Sequence, residues 1–394
     1  MKLLQINICV NIKSTGRIVE QLNVLAQQAG FEIYAAGWEI QSPTASTIYR
    51  IGNICSRFYH RVQARFFDRQ GRASQKATRY FIQWIQQIQP DVIHLHNLHC
   101  AYLNYPLLFD FLKSYGKPVV WTLHDCWPFT GHCAHFETIG CEKWKCACEH
   151  CPQIPILSKD DAAQNYALKK QYFTSLPNLT LVAISTWMER LLGSSFLVNI
   201  PKVLIPNGVD VNLFHPYDKK EVRRELGLDE EAFWVVGAAS TWSDEKGLQE
   251  MIRLASHPDI KLLMLGVSPS LQKQLPASIV TLPLIKDQSL LAKYYSVADV
   301  FVNPTHNDTS STVNMEALAC ARPIVCYRSG GAIEIIDEQT GIGVPRGDFE
   351  ALLEGVLSLK GHSMGESCRA RAIQLYDKNK NFERYIELYR SLCR

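Results

Sequence analysis

The 394-residue chain is too long for one hydrophobic core, and two domains of roughly 200 residues are expected. Its 47% hydrophobic and 20% charged residues exclude a disordered chain, and a net charge of +3 is too weak to point to nucleic acid. No run of about 18 apolar residues occurs, so no helical membrane span is predicted.

The opening MKLLQINICVNIK is a short apolar run broken by Gln5, Asn7 and Asn11. It reads as a first strand rather than a signal peptide, which predicts a cytoplasmic protein. NIKSTGRIVEQL follows, where Gly16 would let the backbone approach a phosphate or sugar and Arg17 opens a helix that runs to Ala29. There is no G-x-G-x-x-G, which disfavours a dinucleotide cofactor. FEIYAAG is the next strand. A basic run then comprises Arg57, Arg61, Arg65, Arg69, Arg72, Lys76 and Arg79 against only Asp68. Arg57, Arg61 and Arg65 recur every fourth residue, as do Phe58, Val62 and Phe66, giving two helical stripes about 100° apart. Such a helix either lies on an anionic membrane surface or packs on its domain with solvated arginines.

ATRYFIQWIQQIQP places Phe81, Ile82, Ile85 and Ile88 on one helical face and stops at Pro90. DVIHLHN, KPVVWTLHD and LTLVAIS read as buried strands. His94 is expected to be a satisfied core histidine, and His124 and Asp125 end their strand in VVWTLHDCWPF. Six of the thirteen cysteines lie between Cys126 and Cys151. Cys148 and Cys151 form a C-x-x-C, half of a zinc site, which Cys133 and Cys141 could complete, with His132, His135 and His150 as rival ligands. Such a zinc would staple the loop and take no part in catalysis; the alternative is reduced cysteines packed in a loop.

KVLIPNGVD leads into a Gly turn, and the domain boundary is placed near Lys202 to Pro216. The pattern then starts afresh with FWVVGAAS, IKLLMLG, VFVNPTH and PIVCYRSGG, each followed by a helical stretch. The prediction is an α/β protein of two Rossmann-like domains facing across a cleft. They are residues 1–201, with the cysteine-rich insert at 126–151, and residues 202–394, with the last helix free to cross back to the first domain. Ligands are expected outside the carboxyl ends of the strands.

At one such end stands DTSSTVNMEALACARP. Ser310, Ser311 and Thr312 are N-cap candidates, whose free N–H groups would favour a phosphate. Together with PIVCYRSGGAIEII, this segment resembles the donor-binding region of glycosyltransferase family 4, the retaining enzymes of the GT-B fold. The resemblance implies that Glu316 binds the ribose of a nucleotide-sugar donor and that Asp308 contacts the transferred sugar. Gly330 and Gly331 would approach the nucleotide. Arg322 stands where a glycine is usual and reads as an exposed turn change. STWSDEKGL resembles the loop whose lysine grips the donor pyrophosphate, so Lys246 takes that role; Ser240 and Thr241 stand where an arginine is common. IPNGVDVNLFHP resembles the interdomain segment, with Asn207, Gly208 and Asp210 in place. His124 matches a histidine beside the transferred sugar, and Asp125 would orient it. The cysteine pattern resembles a branch of the family active in surface polysaccharide assembly. The resemblance thus implies a hexosyltransferase-type enzyme with no cofactor required for catalysis. Its expected partners are a nucleotide-sugar donor, a glycan or lipid-linked glycan acceptor and an anionic membrane surface contacted through residues 57–79. A sugar-nucleotide epimerase on the same fold and a non-catalytic zinc-containing binding module are the rival readings.

Overall fold

The computed structural model describes residues 1–394. The chain forms two compact units: Met1–Ile205 with Phe382–Arg394, and Pro206–Asn381.

The strands of the first unit are β1 (Lys2–Ile6), β2 (Cys9–Val10), β3 (Glu32–Gly37), β4 (Glu39–Ile40), β5 (Thr47–Arg50), β6 (Val92–Leu95), β7 (Val119–Leu123), β8 (Leu179–Ala183) and β9 (Lys202–Leu204). Seven of them form one parallel sheet in the order β5-β3-β1-β6-β7-β8-β9, and β2 pairs with β4. Leu3 is opposite both Ile33 and Val92, so the apolar runs lie in register. The central strands are buried on both faces, as continuous apolar runs require. Strand order reverses at β1 and β6.

The second unit holds β10 (Trp234–Ala238), β11 (Lys261–Leu265), β12 (Ile279–Leu282), β13 (Val300–Asn303), β14 (Ile324–Tyr327) and β15 (Gly341–Val344) in the order β12-β11-β10-β13-β14-β15. All its recorded strand pairings are parallel. Its order reverses at β10 and β13. In open sheets of this kind, a crevice forms beyond the carboxyl ends of such a strand pair.

Several expectations are corrected. Strands β5, β12 and β15 went unpredicted because each is short and partly exposed, without a continuous apolar run. The first helix starts at Lys13, four residues before Arg17. The basic run is two helices, Ile54–Phe67 and Gln75–Ile88, broken by a left-handed Asp68. Arg57 is not solvated: it is buried, donates to Glu39 Oε1 at 2.9 Å and lies over Trp38. The cysteine-rich segment packs into the core of the first unit through Phe129, Phe136 and Trp144, where Trp144 stacks on Phe136 and meets Phe129 edge-on.

Candidate functional site

In the second unit, the loops after β10, β13 and β14 carry the candidate residues. Ser243 begins a short turn, Asp244–Lys246, that ends at Gly247 with φ +77°. A Cβ there would meet Pro304 Cγ at 2.4 Å, so only glycine lets this turn rest on the β13 loop. His306 N–H then donates to Glu245 O at 2.8 Å. The juxtaposition brings Lys246 Nζ to Asn307 O at 3.2 Å, to Thr305 Oγ1 at 3.4 Å and to within 3.6 Å of Asp308 Oδ2. Asp308 also accepts from Ser310 N–H at 3.2 Å through its side chain and from Gly331 N–H at 2.9 Å through its backbone. Gly330 takes φ +49°, a left-handed conformation that suits glycine. Lys246, Asp308, Ser310 and the two glycines are therefore neighbours.

Ser311 is the N-cap residue of the helix Thr312–Ala319, but its hydroxyl accepts from Asn303 Nδ2 at 2.9 Å instead of capping the helix. The same Asn303 amide donates to Asn314 Oδ1 at 2.8 Å, and Asn314 Nδ2 reaches Ala332 O. Two buried asparagines thus fix the helix start against the Gly-Gly loop. The helix N–H groups at this end have no side-chain cap, which suits them to an anion. Ser310 Oγ is buried without a hydrogen-bond partner, which is costly unless a further group meets it. Glu316, one turn into the helix, accepts from Tyr295 OH at 2.7 Å. Tyr295 is fully buried and holds that carboxylate in one orientation. Arg322 is no exposed turn residue: it donates to Cys320 O at 2.8 Å and Ala298 O at 2.9 Å.

In the first unit, Gly16 packs closely against β2. A Cβ would come within 3.0 Å of Cys9 Cβ and 3.1 Å of its carbonyl, so glycine seats the helix Lys13–Gln28 on β2. Asn11 and Lys13, between β2 and the first turn of the helix Lys13–Gln28, and Cys100 and Ala101, in the loop after β6, all have positive φ. Non-glycine residues held this way are found where a fold sets up a site.

His124 is buried at the end of β7, and its Nε2 lies 3.0 Å from His96 Nδ1. Burial lowers its pKa to about 4, against the pull of Asp125, so the imidazole is neutral. Asp125 does not orient His124. Its Oδ2 pairs with His99 Nε2 at 2.7 Å, and its Oδ1 accepts from Trp127 N–H at 2.9 Å. Burial opposes charge on both partners, yet each outweighs it for the other: His99 is raised to about 10 and Asp125 lowered to about 2. His94 is fully buried and bonded to Thr122 and Tyr389.

Cys133, Cys141, Cys148 and Cys151 line one cavity, and Cys133 and Cys151 bring their sulfurs to 3.5 Å. No group of three or more His, Cys, Asp or Glu side chains is arranged to hold a metal ion. The four thiols meet without forming a zinc coordination shell, which corrects the four-ligand expectation. Of the rival ligands, His132 is engaged by Asp68 at 2.6 Å.

Tyr295, Thr305, Asn303, Asn314 and His99 were not singled out as site residues in the sequence. Tyr295 and Glu316 are 21 positions apart and meet only through tertiary packing.

Two family models match the chain: one described as Glycosyltransferase Family 4 over residues 24–213, the other as Glycosyl transferases group 1 over residues 233–361. Over 322 residues the chain is 29% identical to the colanic acid biosynthesis glycosyl transferase named WcaC of Escherichia coli (strain K12), covering 77% of each. A GDP-mannose-dependent alpha-mannosyltransferase of Corynebacterium glutamicum is 31% identical over 43% of this chain and 42% of its own length. Among solved structures, sucrose-phosphate synthase from Thermosynechococcus elongatus has a TM-score of 0.76 at 18% identity, covering 99% of this chain and 98% of that one. Anabaena HepE in complex with UDP-glucose has a TM-score of 0.68 at 16% identity, covering 99% of this chain and all of its own. The two Rossmann-like units are those of the GT-B fold.

Proposed function

This chain belongs to glycosyltransferase family 4 and is a glycosyltransferase, and from that premise we propose that it moves a hexose, with retention, from a nucleotide-sugar donor to a hydroxyl of a growing, lipid-linked surface glycan. The observation that carries the reading is the meeting of Lys246, Asp308, Ser310, the uncapped helix start at Thr312 and Glu316 beyond β13. A nucleoside diphosphate needs these chemistries: a cation and backbone N–H groups for developing phosphate charge, and carboxylates for sugar and ribose hydroxyls. Lys246 stabilises the leaving pyrophosphate, Glu316 takes the ribose and Asp308 orients the transferred sugar. The leaving phosphate helps to deprotonate the acceptor hydroxyl on the same face. Positioning and electrostatics then suffice, and a pair of carboxylates at glycosidase spacing is not required.

A panel of nucleotide sugars read by thermal shift identifies the donor. Glu316→Ala and Lys246→Ala are expected to weaken its binding at least about ten-fold, the scale of a lost charge-assisted contact. Unchanged titrations in both variants would overturn the reading, as would epimerisation of the donor without acceptor.

The acceptor reading extends to a membrane surface. The helix Ile54–Phe67 buries only Arg57 and His60 and turns its apolar residues outward: Ile54 is 78% and Phe58 69% exposed, and Tyr59, Phe66 and Phe67 are exposed too. Arg61, Arg65 and Arg69 are exposed beside them. Aromatics flanked by arginines suit the headgroup region of an anionic leaflet.

A further inference from the structure

The segment that follows Cys151 ends in a turn of unusual composition. Ser158 N–H donates to Pro155 O at 2.8 Å, which closes a β-turn with Ile156 and Leu157 at its two central positions. Such positions favour Gly, Asn, Asp and Ser, whose side chains suit water or bond the local backbone. Here both side chains are large and apolar, and they stand in solvent: Ile156 is 101% and Leu157 83% exposed. A single exposed leucine needs no explanation, but this pair has apolar company. The turn is tied to the C-terminal end of the helix Ile54–Phe67. Lys159 N–H donates to Phe66 O at 2.8 Å, and the Ser158 hydroxyl donates to Arg65 O while accepting from Arg65 Nη1. Arg72 then holds Asp161 at 2.5 Å and Asn165 at 2.9 Å, and Asn165 donates to Asp68 O at 2.6 Å. These bonds carry the tip beside the helix end, where Phe66 and Phe67 are exposed.

We propose that the turn Pro155–Ser158 is a membrane-inserting tip, whose Ile156 and Leu157 enter the acyl boundary of an anionic leaflet beside the helix Ile54–Phe67. The proposal rests on the membrane reading of that helix for the choice of partner, and adds a second contact from a distant part of the chain. Charge selects the partner. Arg61, Arg65 and Arg69 on the helix, and Lys159 directly after the turn, are all exposed and complement phosphate headgroups. Two copies of this surface would set the same cations against one another, so a second chain fits it poorly. Because the turn is already closed and tethered, insertion orders little that was free.

The test is co-sedimentation of the full chain with vesicles of mixed phosphatidylglycerol and phosphatidylcholine. Ile156→Ser with Leu157→Ser should lower the partition coefficient at least about ten-fold, the scale of two apolar side chains kept in water, while the thermal melt stays as in the wild type. Leu157→Trp should bind like the wild type, and vesicles carrying bromine in their acyl chains should quench its added fluorescence. A serine variant that sediments like the wild type overturns the proposal, as does an added tryptophan that bound vesicles leave unquenched. A dimer of the free chain that the serine variant abolishes, seen by analytical ultracentrifugation, would give the tip to a second copy and also overturn it. Phe58→Ser with Phe66→Ser separates the two levels. If that variant loses binding and the turn variant keeps it, the helix reading stands and the turn proposal falls. If the turn variant alone loses binding, the turn proposal stands and the helix reading falls. A wild type that binds no anionic vesicle ends both.

Discussion

Single side chains here take their meaning from the partners that packing brings to them. Glu316 was legible as a helical carboxylate, but its orientation comes from Tyr295, which the sequence leaves as one aromatic in an ordinary helix. Tyr295→Phe keeps the packing and removes the hydroxyl. It should weaken donor binding by about 1 kcal/mol, roughly five-fold, in isothermal titration, with little change in folding stability. The His99–Asp125 pair makes a second prediction. His99 is raised in the folded state, so its contribution to stability is complete below about 6.5 and is lost as the pH rises toward about 10. Asp125 is lowered, so its contribution is complete above 3.8 and is lost as the pH falls toward about 2. Denaturant unfolding of His99→Gln against wild type should show a gap of roughly 3 kcal/mol near pH 6, the cost of stranding a buried charge, narrowing by pH 10. A gap that does not change with pH would mean the pair is not ionised.

At the scale of the element, the four-residue spacing of the basic run does form a helix, Ile54–Phe67, but its two sides exchange the usual roles. Arg57 and His60 point inward, where His60 meets Ser74 Oγ at 2.8 Å and receives Gly71 N–H at 3.1 Å. Periodicity places residues on a stripe; only the neighbouring elements decide which stripe is covered. Phe58→Ser with Phe66→Ser is expected to reduce co-sedimentation with anionic vesicles several-fold while leaving transfer to a soluble acceptor intact. Binding by the wild type should fall as salt rises. Equal sedimentation of variant and wild type would end the membrane reading. The Lys246 turn makes the opposite point. Gly247→Ala adds one carbon where Pro304 already stands, at a residue with φ +77°. It should displace Lys246 and weaken donor binding, and destabilise the second unit by about 1–3 kcal/mol in denaturant unfolding.

Over the whole molecule, alternation of apolar runs with helical stretches gave two parallel sheets, because strands covered on both faces must be apolar throughout. The short edge strands escaped, since one exposed side leaves them no such run. The last helix shows what long-range packing adds. Phe382, Tyr385, Ile386 and Tyr389 are buried with Phe31, Ile33 and Val120, so the chain's final turns complete the core of its first unit. Tyr389 also bonds His94 Nδ1 at 2.6 Å. Tyr389→Ala should therefore cost the first unit about 3–5 kcal/mol in urea unfolding, although it lies near the end of the sequence.

By itself the sequence determined the two-fold α/β plan, the family and the carboxylates, hydroxyls and lysine that stand after strands, because each of these is written in local spacing. Only the tertiary structure decided which of them have partners. It gave Asp125 to His99 rather than His124, Gly16 to the packing of Cys9, and the four thiols a shared cavity without a coordination shell. Hydrogen bonds and close contacts join residues from distant strands, and their geometry is set by how the strands are ordered in the sheet, which no short window of sequence records.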